Sequence, residues 1–178
     1  MEKAKVLTHG SAVIQSDPMA ESDGRTVELT ILGPPVPKGR PRIVRPEGHH
    51  HPMGYTPKPT RLKTVEVRQA YVARYDRMVF RKHEPLILDV LSVMERPPSA
   101  PKKRRWPAVK PDLSNIVQLV QDALNGLAYP DDAAVVVGEQ GKVYGYPPRT
   151  LLRLRLATEQ DLLRFQAKVE QWGSGEQP

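Results

Sequence analysis

The chain contains no cysteine, which removes disulfides, zinc–thiolate centres and thiol nucleophiles together and leaves oxygen atoms and histidine as the donors for any metal. It lacks an apolar run as long as a membrane span, and its N-terminus has neither the basic start nor the apolar stretch of an export signal. Repeats and low-complexity tracts are also missing. These absences point to a cytoplasmic protein with no membrane partner. At 178 residues one core-bearing domain with modest extensions is expected.

What the chain has in excess is positive charge, unevenly placed. The formal net charge is +7. Residues 1–26 carry Lys3, Lys5 and Arg25 against Glu2, Asp17, Glu21 and Asp23. Residues 157–178 carry Arg164 and Lys168 against Glu159, Asp161, Glu170 and Glu176. Both ends are therefore acidic, and the whole positive excess lies between Val27 and Leu156. A domain so charged attracts polyanions, of which nucleic acid is the commonest in a cytoplasm.

The pattern divides the chain into a flexible leader over 1–26, a folded domain over 27–157 and a C-terminal helix and tail over 158–178. Val27, Leu29 and Ile31 alternate with polar residues, as a half-buried strand does, and Gly33-Pro34-Pro35 ends it. The basic, proline-punctuated stretch that follows, to Arg61, reads as an exposed loop. A helical pattern from Arg61 to His83 uses Leu62, Val65, Ala70, Ala73, Met78 and Val79, and Pro85 closes it. Leu86 to Met94 reads as a buried strand, Arg96 to Lys110 as a second basic loop, and Val135 to Tyr144 and Leu151 to Leu156 as further strands. Glu159 to Trp172 is a terminal helix whose Leu162, Leu163, Phe165, Val169 and Trp172 suit packing or a dimer contact. The expected class is α+β: a mixed sheet with packed helices.

The stretch KPDLSNIVQLVQDALNGLAYPDD, Lys110 to Asp132, sets acids inside this cationic surface. Ile116, Leu119, Val120, Ala123, Leu124 and Leu127 fall on one arc of a helical wheel, and Pro111 and Asp112 stand where its first turn begins. A lone Asp112 there is most simply a cap or first-turn acid. Asp131-Asp132 is harder to explain so, because a turn accounts for one aspartate more easily than two. If the following strand lies beside the start of the helix, Asp132 and Asp112 converge, and clustered carboxylates without cysteine suit magnesium or manganese. Such a metal polarises a phosphate and supplies a hydroxide nucleophile, while arginines and lysines hold the backbone.

Four stretches then resemble the RusA-type Holliday junction resolvases of bacteria and their phages and prophages: PVPKGRPR (Pro35 to Arg42), YTPKPTR (Tyr55 to Arg61), KPDLSN with DALNGLAYPDD (Lys110 to Asp132), and KVYG (Lys142 to Gly145). The resemblance implies a RusA-like single domain and a homodimeric, magnesium-dependent endonuclease that nicks opposed strands of a four-way DNA junction in recombination and repair. It also implies that Asp112 and Asp132 are catalytic metal-binding acids, that Asp131 is the usual neighbour, and that Asn115 and Asp122 match the motif. Two positions depart. The family's second aspartate is Ser114 here, a weaker ligand, and a lysine important for catalysis is replaced by Gln118.

For DNA contact the sequence offers Lys38, Arg40, Arg42, Lys58 and Arg61 in the first loop, Lys102, Lys103, Arg104, Arg105 and Lys110 in the second, and Lys142. Trp106 either stacks on a base or packs on the domain. The run His49-His50-His51 cannot easily converge on one ion from adjacent positions. Beside the active resolvase stand two other readings: a branched-DNA-binding protein weakened by its two departures, and a metal-dependent nuclease with a different branched substrate.

Overall fold

The computed structural model describes residues 25–44 and 53–173. The histidine run and most of the leader lie outside these residues. Alternating burial builds β1 (Thr26–Leu32), β4 (Leu86–Met94) and β7 (Arg149–Leu156) into an antiparallel set in which β7 lies between the other two. Beside β4 run two short parallel strands placed end to end, β5 (Val135–Val137) against its start and β6 (Gln140–Tyr144) against its second half. The sheet is therefore mixed, as expected.

The single strand read over Val135 to Tyr144 is broken in two because the chain presses onto β4 at Gly138. A Cβ there would lie 1.9 Å from the Leu88 carbonyl oxygen. Only glycine passes at that distance.

One face of the sheet, with Val27, Leu29, Leu86, Leu88, Val90, Leu152 and Leu154, packs against α1 (Lys58–Arg74) and α2 (Leu113–Leu124) to make the core. The other face carries Asp89, paired at 2.9 Å with Arg153, and an exposed Leu91. A small hairpin, β2 (Arg42–Val44) with β3 (Met53–Tyr55), occupies part of the basic stretch read as irregular loop.

Helix α1 corrects the sequence reading in extent and in face. It begins at Lys58 and stops at Arg74, nine residues before His83, and it buries Thr60, Lys63, Val67 and Tyr71 while Leu62 and Val65 stay exposed. The reason is its position along the free edge of β1. Tyr75, just past the helix, accepts a hydrogen bond from Glu28 N through its hydroxyl and donates to the Thr26 carbonyl, and the Lys63 ammonium donates to the Leu32 carbonyl. Unpaired strand groups need polar partners, so the inner side of the helix is partly polar.

The C-terminal helix, α3 (Glu159–Gly173), buries none of its residues. Its start is held by Thr158 and Asp161, which exchange backbone–side-chain hydrogen bonds as a capping box, and by the Arg155–Asp161 ion pair at 2.7 Å. Among the described residues the stripe Leu162, Leu163, Phe165, Val169 and Trp172 stays exposed. Among the described residues no helix is long and apolar enough to cross a membrane.

Candidate active site

Helix α2 buries Ile116, Leu119, Val120, Ala123 and Leu124 as its periodicity predicts, and Val117 besides; it ends at Leu124, so Leu127 lies in the turn beyond it. Asp112 occupies its N-cap position in an extended conformation, yet its side chain makes no capping hydrogen bond. The ordinary structural role for an aspartate at that place is thus left unfilled, and the carboxylate is exposed beside a helix terminus whose dipole favours negative charge. Ser114 and Gln118 are exposed on the same helix, and with Asp122 they form a stripe at i, i+4 spacing.

Two cations fasten the surroundings of Asp112. Lys142 on β6 donates from its ammonium to the carbonyls of Val109 (2.7 Å) and Pro111 (2.9 Å), tying the end of the second basic loop to the sheet. Lys38 in the first loop donates its backbone N–H to the Asn115 carbonyl (2.8 Å) and sets its ammonium 2.7 Å from Asp122 Oδ2. The same loop is held to α1 at Gly39, whose N–H donates to Thr60 Oγ1 at 2.9 Å. A Cβ at Gly39 would meet Pro57 Cγ at 2.9 Å, so the close approach requires glycine. Both basic loops are therefore docked around α2.

Of the cations expected to reach DNA, Arg40, Lys58, Arg61, Lys102, Lys103, Arg104, Arg105 and Lys110 are exposed. Arg42 lies in β2. Lys38 and Lys142 are engaged inside the chain. Sequence reading missed Arg96, whose guanidinium donates to the Pro101 and Arg104 carbonyls and lies 4.7 Å from the Tyr144 ring centroid. No spacing signal marks it, because its hydrogen-bond partners are backbone carbonyls.

The aspartate pair sits elsewhere. Asp131 Oδ1 accepts from Ala133 N at 2.9 Å and so caps the short 3-10 turn Asp132–Ala134. Asp132 is exposed, with no side-chain partner among the described residues. Buried Tyr129 lies close enough to feel it: burial, then the charges of Asp132 and Asp122, push the phenol well above its usual range. The convergence expected of Asp112 and Asp132 does not occur within one chain. The strand after Asp132 pairs with the start of β4, at Leu86, whereas Lys142, which holds the approach to Asp112, pairs with Ser92 near the other end. Asp112 thus heads α2, whereas Asp132 lies near Tyr129, whose hydroxyl donates to the Gln121 carbonyl in the second half of that helix.

The donor chemistry suits a hard divalent cation, since two carboxylates with no partner and a hydroxyl are oxygen ligands. Among the described residues no group of three or more His, Asp or Glu side chains converges.

The family described as Endodeoxyribonuclease RusA matches residues 33–155. A curated relative, the uncharacterized protein YqaN of Bacillus subtilis (strain 168), is 31% identical over 139 residues, covering 72% of this chain and 95% of its own length. Helix α3 lies beyond the family match.

Proposed function

From the membership of this chain in the endodeoxyribonuclease RusA family, and hence its standing as an enzyme that hydrolyses DNA phosphodiester bonds, we propose that it is a cytoplasmic, magnesium-dependent resolvase of four-way DNA junctions in recombination and repair, working as a homodimer. The observation that carries the reading is Asp112: an aspartate that heads a helix without capping it, between two docked basic loops.

In this reading the exposed cations of the two loops bind backbone phosphates, and Lys142 fixes the chain immediately before Asp112 so that its carboxylate is held ready rather than searching. Lys38 docks the first loop on α2. Asp112 with Ser114, and Asp132 with Asp131, are the groups that would hold magnesium, or manganese, which when bound supplies a polarised phosphate and an activated water. The separation of the two acids favours a two-fold dimer, in which the start of one copy's helix meets the aspartate pair of the other. A two-fold pair of sites also matches a substrate with paired strands to nick.

The test is incubation of the purified protein with labelled four-way, three-way and linear DNA, with and without magnesium or manganese. Paired nicks in the four-way junction that require the metal are the expected result. Binding without cutting would favour the branched-DNA-binding reading, which the exposed Ser114 and Gln118 in place of acid and lysine keep in view. Preference for three-way or other branched substrates would favour the second nuclease reading.

A further inference from the structure

Trp106 is 68% exposed, although the proline that follows it is buried. Large aromatic side chains ordinarily bury most of their surface, and the alternative role open to this one from the sequence, packing on the domain, is not what the structure shows. Nor does it hang on a slack segment. Arg96 holds the limb before it through the Pro101 and Arg104 carbonyls, Lys142 holds the limb after it through Val109 and Pro111, and two tight turns, Ala108 N to the Trp106 carbonyl (2.9 Å) and Val109 N to the Pro107 carbonyl (2.7 Å), shape the tip. A loop stapled on both sides presents its indole at little further cost in order.

The neighbours define what the indole can meet. Lys102, Lys103, Arg104 and Arg105 precede it, all exposed, and the catalytic candidate Asp112 follows six positions later. A second bare aromatic, Tyr146, 80% exposed, stands at the same end of the sheet, where Gly145 N donates to the Met94 carbonyl. A π-face among clustered cations fits a polyanion that itself offers π-faces. In an intact duplex those faces are covered by base stacking. At a branch point they are open.

We propose that Trp106 stacks on an unstacked base at the branch point and thereby sets the preference for branched over linear DNA. The proposal rests on the resolvase reading but adds to it a residue that neither touches phosphate nor takes part in bond cleavage. Stacking of a base on an aromatic side chain is large enough to dominate such a preference.

The experiment uses the full chain carrying Trp172→Phe, which leaves Trp106 as the sole tryptophan. Titration with a four-way junction should quench its emission, whereas a linear duplex of the same length should leave it nearly unchanged. Trp106→Ala should weaken junction binding about 5- to 150-fold and linear binding less than about two-fold, while Trp106→Phe should keep most of the junction affinity. Equal losses on both DNAs, or full junction affinity in Trp106→Ala, would overturn the proposal; if that variant still binds and cuts junctions normally, the resolvase reading stands without it. Emission that responds to phosphatidylserine vesicles and not to DNA would assign the loop to a lipid surface and likewise overturn it. A protein that binds junctions no better than duplex would defeat both.

Discussion

The ammonium of Lys38 lies 2.7 Å from Asp122 Oδ2, so one cation of the first basic loop is committed to α2 before any DNA arrives. Both side chains are more than a third exposed, and the pair is worth about 0.2–1 kcal/mol. Lys38→Ala should therefore lower thermal stability slightly and leave the salt dependence of DNA binding almost unchanged. Arg40→Ala and Lys58→Ala should each reduce the slope of log affinity against log salt by about one unit. Binding isotherms over a range of salt separate the two classes of lysine and arginine.

The placing of Asp112 at the head of α2 and of Asp132 near Tyr129 makes a test by mixing. Asp112→Asn and Asp132→Asn should each abolish cleavage and spare junction binding. If each site draws one acid from each copy, an exchanged mixture of the two dead proteins regains one intact site per mixed dimer and nicks a single strand of the junction. Sites contained within one chain would leave the mixture inert.

Ser114→Asp places a carboxylate in the first turn of α2, where the helix dipole favours it by about 0.3–1 kcal/mol. The melting temperature should rise and the magnesium concentration needed for activity should fall. Gln118→Lys sets an ammonium one turn from Asp122, in competition with Lys38. It should raise the single-turnover rate and loosen the first loop, a change visible as faster hydrogen exchange near Gly39. Robust wild-type cutting with no gain from either variant would mean that the two departures cost nothing.

Lys142→Met removes two hydrogen bonds to the chain before Asp112 while keeping the bulk of the side chain. The expected loss is in kcat, by about 10- to 100-fold as for a misplaced catalytic group, with junction affinity reduced by at most one phosphate contact. A fall in affinity with kcat unchanged would mean that Lys142 acts on DNA directly.

Asp161 carries an acid sensitivity confined to α3. The Arg155 guanidinium, followed by the Thr158 N–H and hydroxyl, holds its carboxyl well below the usual carboxylate range. Its contribution is complete above about pH 4, the unfolded carboxylate value, and is lost as pH falls through the lower folded value. Between pH 5 and 7, spans where the group stays ionised, α3 should not change, whereas Asp161→Asn should fray it at neutral pH. Hydrogen exchange over Glu159–Gly173 reports both.

Much of this was legible in the sequence where one physical cause acts alone. Helix α2 could be read because apolar burial sets its period and Asp112 and Gly126 bracket it, and β1, β4 and β7 because each has a face in the core. The bounds and inner face of helix α1 could not, because Lys63 within it and Tyr75 just past it serve backbone groups of β1, and hydropathy does not register that service. The matched motifs located Asp112 and the aspartate pair, but not the distance between them. That depends on β5 joining the start of β4 and on the turn between Asn125 and Tyr129, neither of which a pattern of residue types specifies.

The hydroxyl of Tyr75 and the ammonium of Lys63 on the outer margin of β1 have a colloidal consequence. Strand margins left bare recruit further strands and seed fibres. Here a second molecule finds carbonyls and an amide already engaged, so β1 resists being used as a template. Copies brought close together at high concentration should therefore disperse again without leaving strand-paired aggregates.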